Sequence, residues 1–378
     1  METAPRAPVN DPIVLGAPGC VTPLGATLED TFAAMHAGRC GLRPEPFPGS
    51  DAPVHVGRCD ETALTGGGRR AQRLLGAAVR QTMSGLSRSL RTLPRTAWVL
   101  ATTKGDVRAL EEGRPEDAEL PLFAMRTGVA LGLPGTPIVV SNACVSGTLA
   151  VHLAAGLIRS GDVDHVLVTG FDEATDFVLS GFHCLHAIAH GPCRPFDDDR
   201  DGISLGEAAA SVVLTRDPGL FRHGPLATYL GGGMGNDANH ISGPSRTGEG
   251  LVRAVQGALN DAELPVDAIT HVNAHGTGSV YNDGMEHIAF TRLGLGQAPV
   301  NSYKGYFGHT LGAAGLVEAL VAVHALRQGV MLRSLGATRS VTLPGIDVLL
   351  EHRHTQGRTL LKTSSGFGGC NAALVLRA

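Results

Sequence analysis

The chain has 378 residues, a length that excludes a mini-protein and at ~150 residues per domain fits two or three domains or one large duplicated one. Thirty-one Lys and Arg against 35 Asp and Glu give a net charge of −4, and 43% of the residues are apolar, which excludes both a disordered chain and a polybasic nucleic-acid binder. Glycine is abundant, at 51 residues, while aromatics make up only 4%, so backbones must approach closely where stacking platforms are few.

Up to about Asn10 the chain is Pro- and Ala-rich without periodicity and is expected to fray. From Pro12 the run PIVLGAPGCVTPLG reads as a strand breaking into a Gly/Pro loop, and a helix is expected from Leu28 to His36. After the glycines at 66–68, apolar residues at Leu74, Leu75, Ala78 and Met83 predict an amphipathic helix with a basic entrance. Thr96–Ala101 and Pro137–Ser141 read as buried parallel strands, the second ending at Asn142-Ala143-Cys144. A helix over Gly147–Ser160 and a strand over His165–Thr169 complete a βαβ unit with Cys144 at its corner.

A polar turn, DDDRDG, leads to a β-like run over Ala208–Thr215, and Gly219–Pro225 reads as a joint. Beyond it come a Gly-rich stretch, a helix around Gly250–Ala262, a strand Ile269–Asn273, a helix near Gly284–Leu293, a strand Pro299–Asn301 and a helix Leu311–Arg327. The second half thus echoes the first, most visibly where GTLAVHLAAGLIRSGDV is laid beside HTLGAAGLVEALVAVHALRQGV.

The seven cysteines are odd in number and scattered, and the opening lacks the basic start and apolar run of a signal peptide, so a reducing cytoplasm is the expected compartment. No apolar stretch reaches the ~18 to 20 residues of a membrane helix, because His152, Arg159, Glu318 and Arg327 interrupt the candidates.

Cys144 lies between a buried strand and the first turn of a helix, where free N–H groups favour a thiolate and can also hold an oxyanion. A small buried apolar cysteine is the plain alternative. His275, in NAHGTGS, follows a strand, and His309, in KGYFGHTLGAAG, precedes a helix; strand ends beside glycine are where side chains reach a shared cleft. With Cys144 they form a Cys/His/His set. Lysine occurs only at 104, 304 and 362, so Lys304, five residues before His309, marks a need for a compact ammonium. In SSGFGGCN the glycines around Phe367 let backbone N–H groups face a ligand and one aromatic act as a gate.

These blocks resemble the β-ketoacyl-acyl-carrier-protein synthases of the FabF-like elongating type, in the thiolase superfamily. The resemblance runs from PIVLGAPGCVTPLG through NACVSG, RPFDDDRDGISLGEAAA, NAHGTGSVYND, NSYKGYFGHTLGAAG and GFGGCN. It implies an α/β, thiolase-like fold of two similar halves, 11–220 with the nucleophile and 221–378 with the histidine pair, each with a central mixed sheet between helices in an αβαβα layering. It implies that Cys144 accepts the acyl group, that His275 and His309 assist malonyl decarboxylation and stabilise the enolate, and that Lys304 orients them. The N–H groups of Cys144 and Phe367 would form the oxyanion site, with Glu207 and Asp283 in support behind the histidines. It implies no metal and no redox cofactor, an acyl- or malonyl-loaded acyl carrier protein as partner, and a homodimer or ketosynthase heterodimer. Arg69, Arg70 and Arg73 would dock the acidic carrier, while a frequent docking arginine is replaced by His186.

Relative to that family the chain is shortened between Lys104 and Ile138, and Lys104 stands where an apolar residue is common, which points to a secondary-metabolite pathway such as polyene assembly at least as much as to housekeeping lipid synthesis. A non-condensing acyltransferase and a chain-length-factor-like subunit are the alternatives; the latter typically lacks the cysteine.

Three other patterns invite a different chemistry. GISLG at 202–206 matches a hydrolase elbow, but no strand precedes Ser204 and no helix follows it. His183, Cys184, His186, His190 and Cys193 are dense enough for zinc, yet their spacing fits no closed site. The acidic run Asp197–Asp201 lacks the terminal glutamate of a calcium loop and reads as a solvated turn that carries Asp201 into the fold.

Overall fold

The computed structural model describes residues 11–48, 50, 52–133 and 135–378; the opening expected to fray lies outside them. Eleven strands form the main sheet: β1 (Val14–Val21), β2 (Thr96–Ala101), β3 (Ile138–Val140), β4 (His165–Asp172), β5 (Ala208–Thr215), β6 (Pro225–Asn236), β7 (His271–Asn273), β8 (Pro299–Asn301), β9 (Asp347–Val348), β10 (Thr359–Gly366) and β11 (Cys370–Arg377). Their order is β9-β8-β7-β10-β11-β6-β1-β5-β4-β2-β3.

This order contains the same pattern twice. Outward from β1, the pairings with β5, then β4, β2 and β3, run antiparallel, antiparallel, parallel, parallel. Outward from β6, the pairings with β11, then β10, β7 and β8, repeat that series. The two half-sheets are joined where Val14, Leu15 and Gly16 pair with Thr228, Ala227 and Pro225. The echo seen in the sequence is therefore a duplicated strand topology.

Seven helices place the layers: α1 (Leu28–His36), α2 (Arg70–Ser84), α3 (Leu120–Leu131), α4 (Ser146–Arg159), α5 (Glu249–Asp261), α6 (Val280–Leu293) and α7 (Ala314–Arg327). Helix α2 covers the outer face of the first half-sheet and α5 that of the second, while α4 and α7 pack on each other and on strands of both halves. The result is the layering αβαβα. Helix α7 is apolar nearly all round, as expected of a helix covered on every side, and Glu318 is its buried exception. The central helices approach closely because the crossing is built from small residues: a Cβ on Gly315 would lie 2.6 Å from Thr148 N, and one on Gly147 2.8 Å from Gly312 O.

The Gly-rich stretch after the joint, left without an element in the sequence, is part of β6. A Cβ on Gly231 would stand 2.5 Å from Ala258 O and one on Gly233 2.2 Å from Ala254 O, so glycine lets α5 lie flush on this strand. Close approach, not flexibility, accounts for the composition there.

Candidate active site

The duplication sets the site. Cys144 stands between β3 and α4, and His309 stands between β8 and α7, which are the corresponding corners of the two halves. His275 follows β7. Packing α4 against α7 brings these strand ends together, and the ligating atoms of Cys144, His275 and His309 lie within 4.8 Å of one another. No fourth His, Cys, Asp or Glu of the described residues joins them, so the set falls one ligand short of a closed tetrahedral metal site.

Each side chain is held from behind. Ala143 adopts φ +44°, a left-handed conformation that needs support in a residue with a Cβ. Ser146 Oγ provides it, accepting from Asn142 N at 2.8 Å and donating to Ala143 O at 2.7 Å. His309 is fixed through its backbone, its N–H donating to Ser204 O at 2.7 Å and its O accepting from Gly206 N at 3.0 Å. His275 N donates to Glu286 Oε1 at 2.7 Å, and His275 O accepts from Lys304 Nζ at 2.5 Å. The two imidazoles meet edge to face with centroids 5.1 Å apart. Nδ1 of His275 and both ring nitrogens of His309 are buried without a partner among the described residues, so hydrogen-bonding capacity is left unused at the site.

That cavity has a volume of ≈ 380 Å³, and Cys144, His275, His309, Phe182, Tyr281 and Phe367 are among its lining residues. The hairpin turn between β10 and β11 closes one side, with Phe367 stacked on Phe182 at 5.5 Å. Gly366 lies against the Cys144 corner: a Cβ there would sit 3.1 Å from Cys144 N.

Burial controls the protonation states. It pushes the Cys144 thiol up to about 11, against the lowering by Lys304 and Lys104, so the thiolate expected from the helix start is not the resting form. Burial, and then the Lys304 charge, hold both imidazoles well below the usual histidine range. At rest the site is a thiol beside two neutral imidazoles.

Behind the histidines lies a buried network. Glu318 receives Lys304 Nζ on Oε1 at 2.7 Å and Lys362 Nζ on Oε2 at 2.6 Å, and all three side chains are fully buried. Glu286 also accepts Gly276 N at 2.6 Å. Asp283 accepts Thr277 N at 2.9 Å and Phe196 N at 2.8 Å, which shapes the loop after His275. Sequence reasoning had singled out Lys304 and Asp283 but not Glu318, Glu286 or Lys362; charged residues within apolar runs, such as Glu318 in α7, were the available signal.

The beta-ketoacyl synthase N-terminal domain model matches residues 70–218, and the C-terminal domain model matches residues 226–338. The chain belongs to the beta-ketoacyl synthase family. Nodulation protein E of Rhizobium leguminosarum bv. trifolii is 34% identical over 282 residues, 73% of this chain and 68% of that protein. A 3-oxoacyl-acyl-carrier-protein synthase 2 of Vibrio cholerae is 28% identical over 97% of this chain and 98% of its own length. A ketosynthase from Xenorhabdus doucetiae, solved in complex with its chain length factor, superposes with a TM-score of 0.87 at 26% identity, covering 98% of this chain and 99% of that one. The family assignment agrees with the thiolase-like fold and places the chain among acyltransferases.

Other residues expected to serve this beta-ketoacyl synthase lie elsewhere or are already engaged. Glu207 does not support the histidines: its carboxylate receives Arg70 at 2.5 Å and Cys59 N at 2.9 Å. Arg69 pairs with Asp106 and Glu112, and Arg73 with Glu61, so the three docking arginines are neutralised within the chain. Ser204 is buried before a two-residue strand, Leu205–Gly206, and accepts Cys193 N, so no hydrolase elbow forms. Of the dense His/Cys group, His190 bonds Asp201 at the surface while Cys193 Sγ turns inward to Lys304 O, so the group diverges. The acidic run is not a solvated turn throughout. Asp197 is buried and accepts Thr338 N at 2.7 Å, and Asp198 accepts Thr342 N at 2.9 Å; Asp199 and Asp201 are exposed.

No helix among the described residues is long and apolar enough to cross a membrane.

Proposed function

We propose that this ketosynthase transfers an acyl group from acyl carrier protein to Cys144 and condenses it with malonyl-carrier protein, in fatty-acid or polyketide biosynthesis. One observation carries the reading: a sulfur from one half and two imidazoles from the other lie within 4.8 Å in one cavity. In this reading residues 11–220 form the half that holds the nucleophile and 221–378 the half that holds the histidines.

The thiol proton passes from Cys144 to a neutral imidazole nitrogen, and the thiolate attacks the carrier thioester carbonyl. The N–H groups of Cys144 and Phe367 receive the oxyanion, and the carrier thiol departs with the proton. Malonyl thioester then loses carbon dioxide, and the electron pair left behind forms an enolate whose oxygen accepts from the His275 and His309 N–H groups. The enolate carbon attacks the acyl thioester, the tetrahedral intermediate collapses to a 3-ketoacyl thioester, and Cys144 Sγ leaves as a thiolate that takes up a proton from solvent to restore the thiol. Lys304 anchors His275 through its carbonyl throughout. The partners are the loaded carrier and a second ketosynthase-fold subunit, identical or related, and the cytoplasm is the proposed compartment.

Incubation with acyl-carrier protein followed by intact-mass measurement tests the assignment. The chain gains one acyl mass and Cys144→Ala gains none; labelling that persists in the variant overturns the role of Cys144. Release of labelled carbon dioxide from malonyl-carrier separates condensation from simple acyl transfer.

A further inference from the structure

Two of the three lysines in this chain share one carboxylate. Lys362 projects from β10 to Glu318 Oε2 at 2.6 Å, and its other contacts are Thr363 O at 2.8 Å, Ala274 O at 3.3 Å and Asn273 O at 3.5 Å. Lys304 already occupies Glu318 Oε1. One glutamate balances one ammonium, so the fully buried group Lys304–Glu318–Lys362 carries a surplus positive charge. A second buried lysine is costly, and nothing in the acyl-transfer steps requires its hydrogen bonds.

Its position says what the surplus does. Lys362 donates to the carbonyls of the two residues that immediately precede His275, so the charge sits beneath the imidazole pair. We propose that Lys362 is a positioning residue whose charge keeps His275 and His309 in the proton-accepting form that Cys144 needs at neutral pH. The inference rests on the condensing reading above and deepens it.

The groups that face the pair are Lys304 from the turn after β8, Lys362 from β10, Glu318 from α7, Glu286 and Asp283 from α6, Lys104 from the loop after β2, and Cys144 itself. Burial pushes the Glu286 carboxyl up to about 7, so it offsets the cations only in part. Burial lowers Lys362 to about 8, which leaves it charged at neutrality. Removing one buried charge at this range shifts a neighbouring titration by on the order of one pH unit.

Histidines labelled with carbon-13 in the ring, in the full-length chain, give the test. In Lys362→Gln, which keeps donors but removes the charge, the His275 and His309 signals should titrate about one pH unit higher than in the native chain. The acid limb of Cys144 acylation should move up by the same amount, with little change at high pH. Lys362→Met provides a second neutral variant. Unmoved ring titrations, or a uniform loss of rate at every pH, would show a merely structural lysine and overturn the proposal. If neither variant folds, the native chain can still overturn the proposal: rings that charge near pH 6.5 sink it. Failure of the condensing reading is a different result, the absence of any acyl-enzyme in the native chain, and the ring titration does not depend on it.

Discussion

Gly366 shows how closely the site is drawn at the level of single residues. A methyl group there would stand 3.1 Å from Cys144 N and 3.2 Å from Ala143 Cβ, while its φ of −148° is open to any residue. Gly366→Ala should therefore fold and yet lose activity by about 10²-fold, the usual cost of spoiling one oxyanion donor; steady-state kinetics beside a thermal melt would reveal it. Equal losses of stability and rate would argue that the turn, not the donor, had been damaged. Cys144 could be read from the sequence because it stands between a buried strand and the start of a helix, and His275, His309 and Lys304 because each stands beside glycine. Glu318 and Lys362 left a fainter signal. Each is a lone charge in an apolar segment 44 residues from the other, and only the packing of α7 on β10 explains why both are tolerated.

At the scale of elements, the crossing of α4 and α7 fixes the distance between sulfur and imidazole. Gly315→Ala would force a Cβ to 2.2 Å from Thr148 Oγ1, so the helices must separate. We expect about 1–3 kcal/mol of destabilisation, as for other overpacked cores, measured by urea unfolding, together with slower acylation of Cys144. The strand β7 carries a second prediction. His271 is buried on it, and burial lowers its pKa to about 4. A depressed histidine pKa contributes stability that is present above 6.5 and is lost as pH falls toward 4, because only the unfolded chain takes up the proton. Between pH 7 and pH 5 this amounts to about 2 kcal/mol, which His271→Phe should remove from the pH dependence of the urea midpoint. Most strands and helices follow from apolar runs and glycine breaks. The exception was the glycine stretch in β6, because a strand pressed flat against a helix has the composition of a loop.

On the scale of the whole molecule, the sheet is open at β3, where Ile138 is 37% exposed, and the adjoining helix α3 presents Met125 and Val129, 55% and 84% exposed. An uncovered strand edge beside exposed apolar side chains is a template for pairing. The proposed second subunit should cover it. Light scattering on the purified chain is expected to give twice the 39.1 kDa of one chain, and Val129→Glu should halve that mass. A wild-type monomer that doubles only with a co-expressed partner would assign the assembly to a heterodimer instead. The repeat was readable in outline from two similar helical segments, but the identical pairing series in both halves was not, since strand order is decided by long-range contacts that no local pattern encodes.

In the proposed mechanism attack and enolate stabilisation fall to separate halves of a repeated strand topology, so either half can drift without dismantling the other. A descendant that replaced only its sulfur would keep the shape, the seam between the half-sheets and the face offered to a companion. Such a mute twin could still mould the space into which a growing chain extends, so the architecture itself provides a short evolutionary step from catalyst to template.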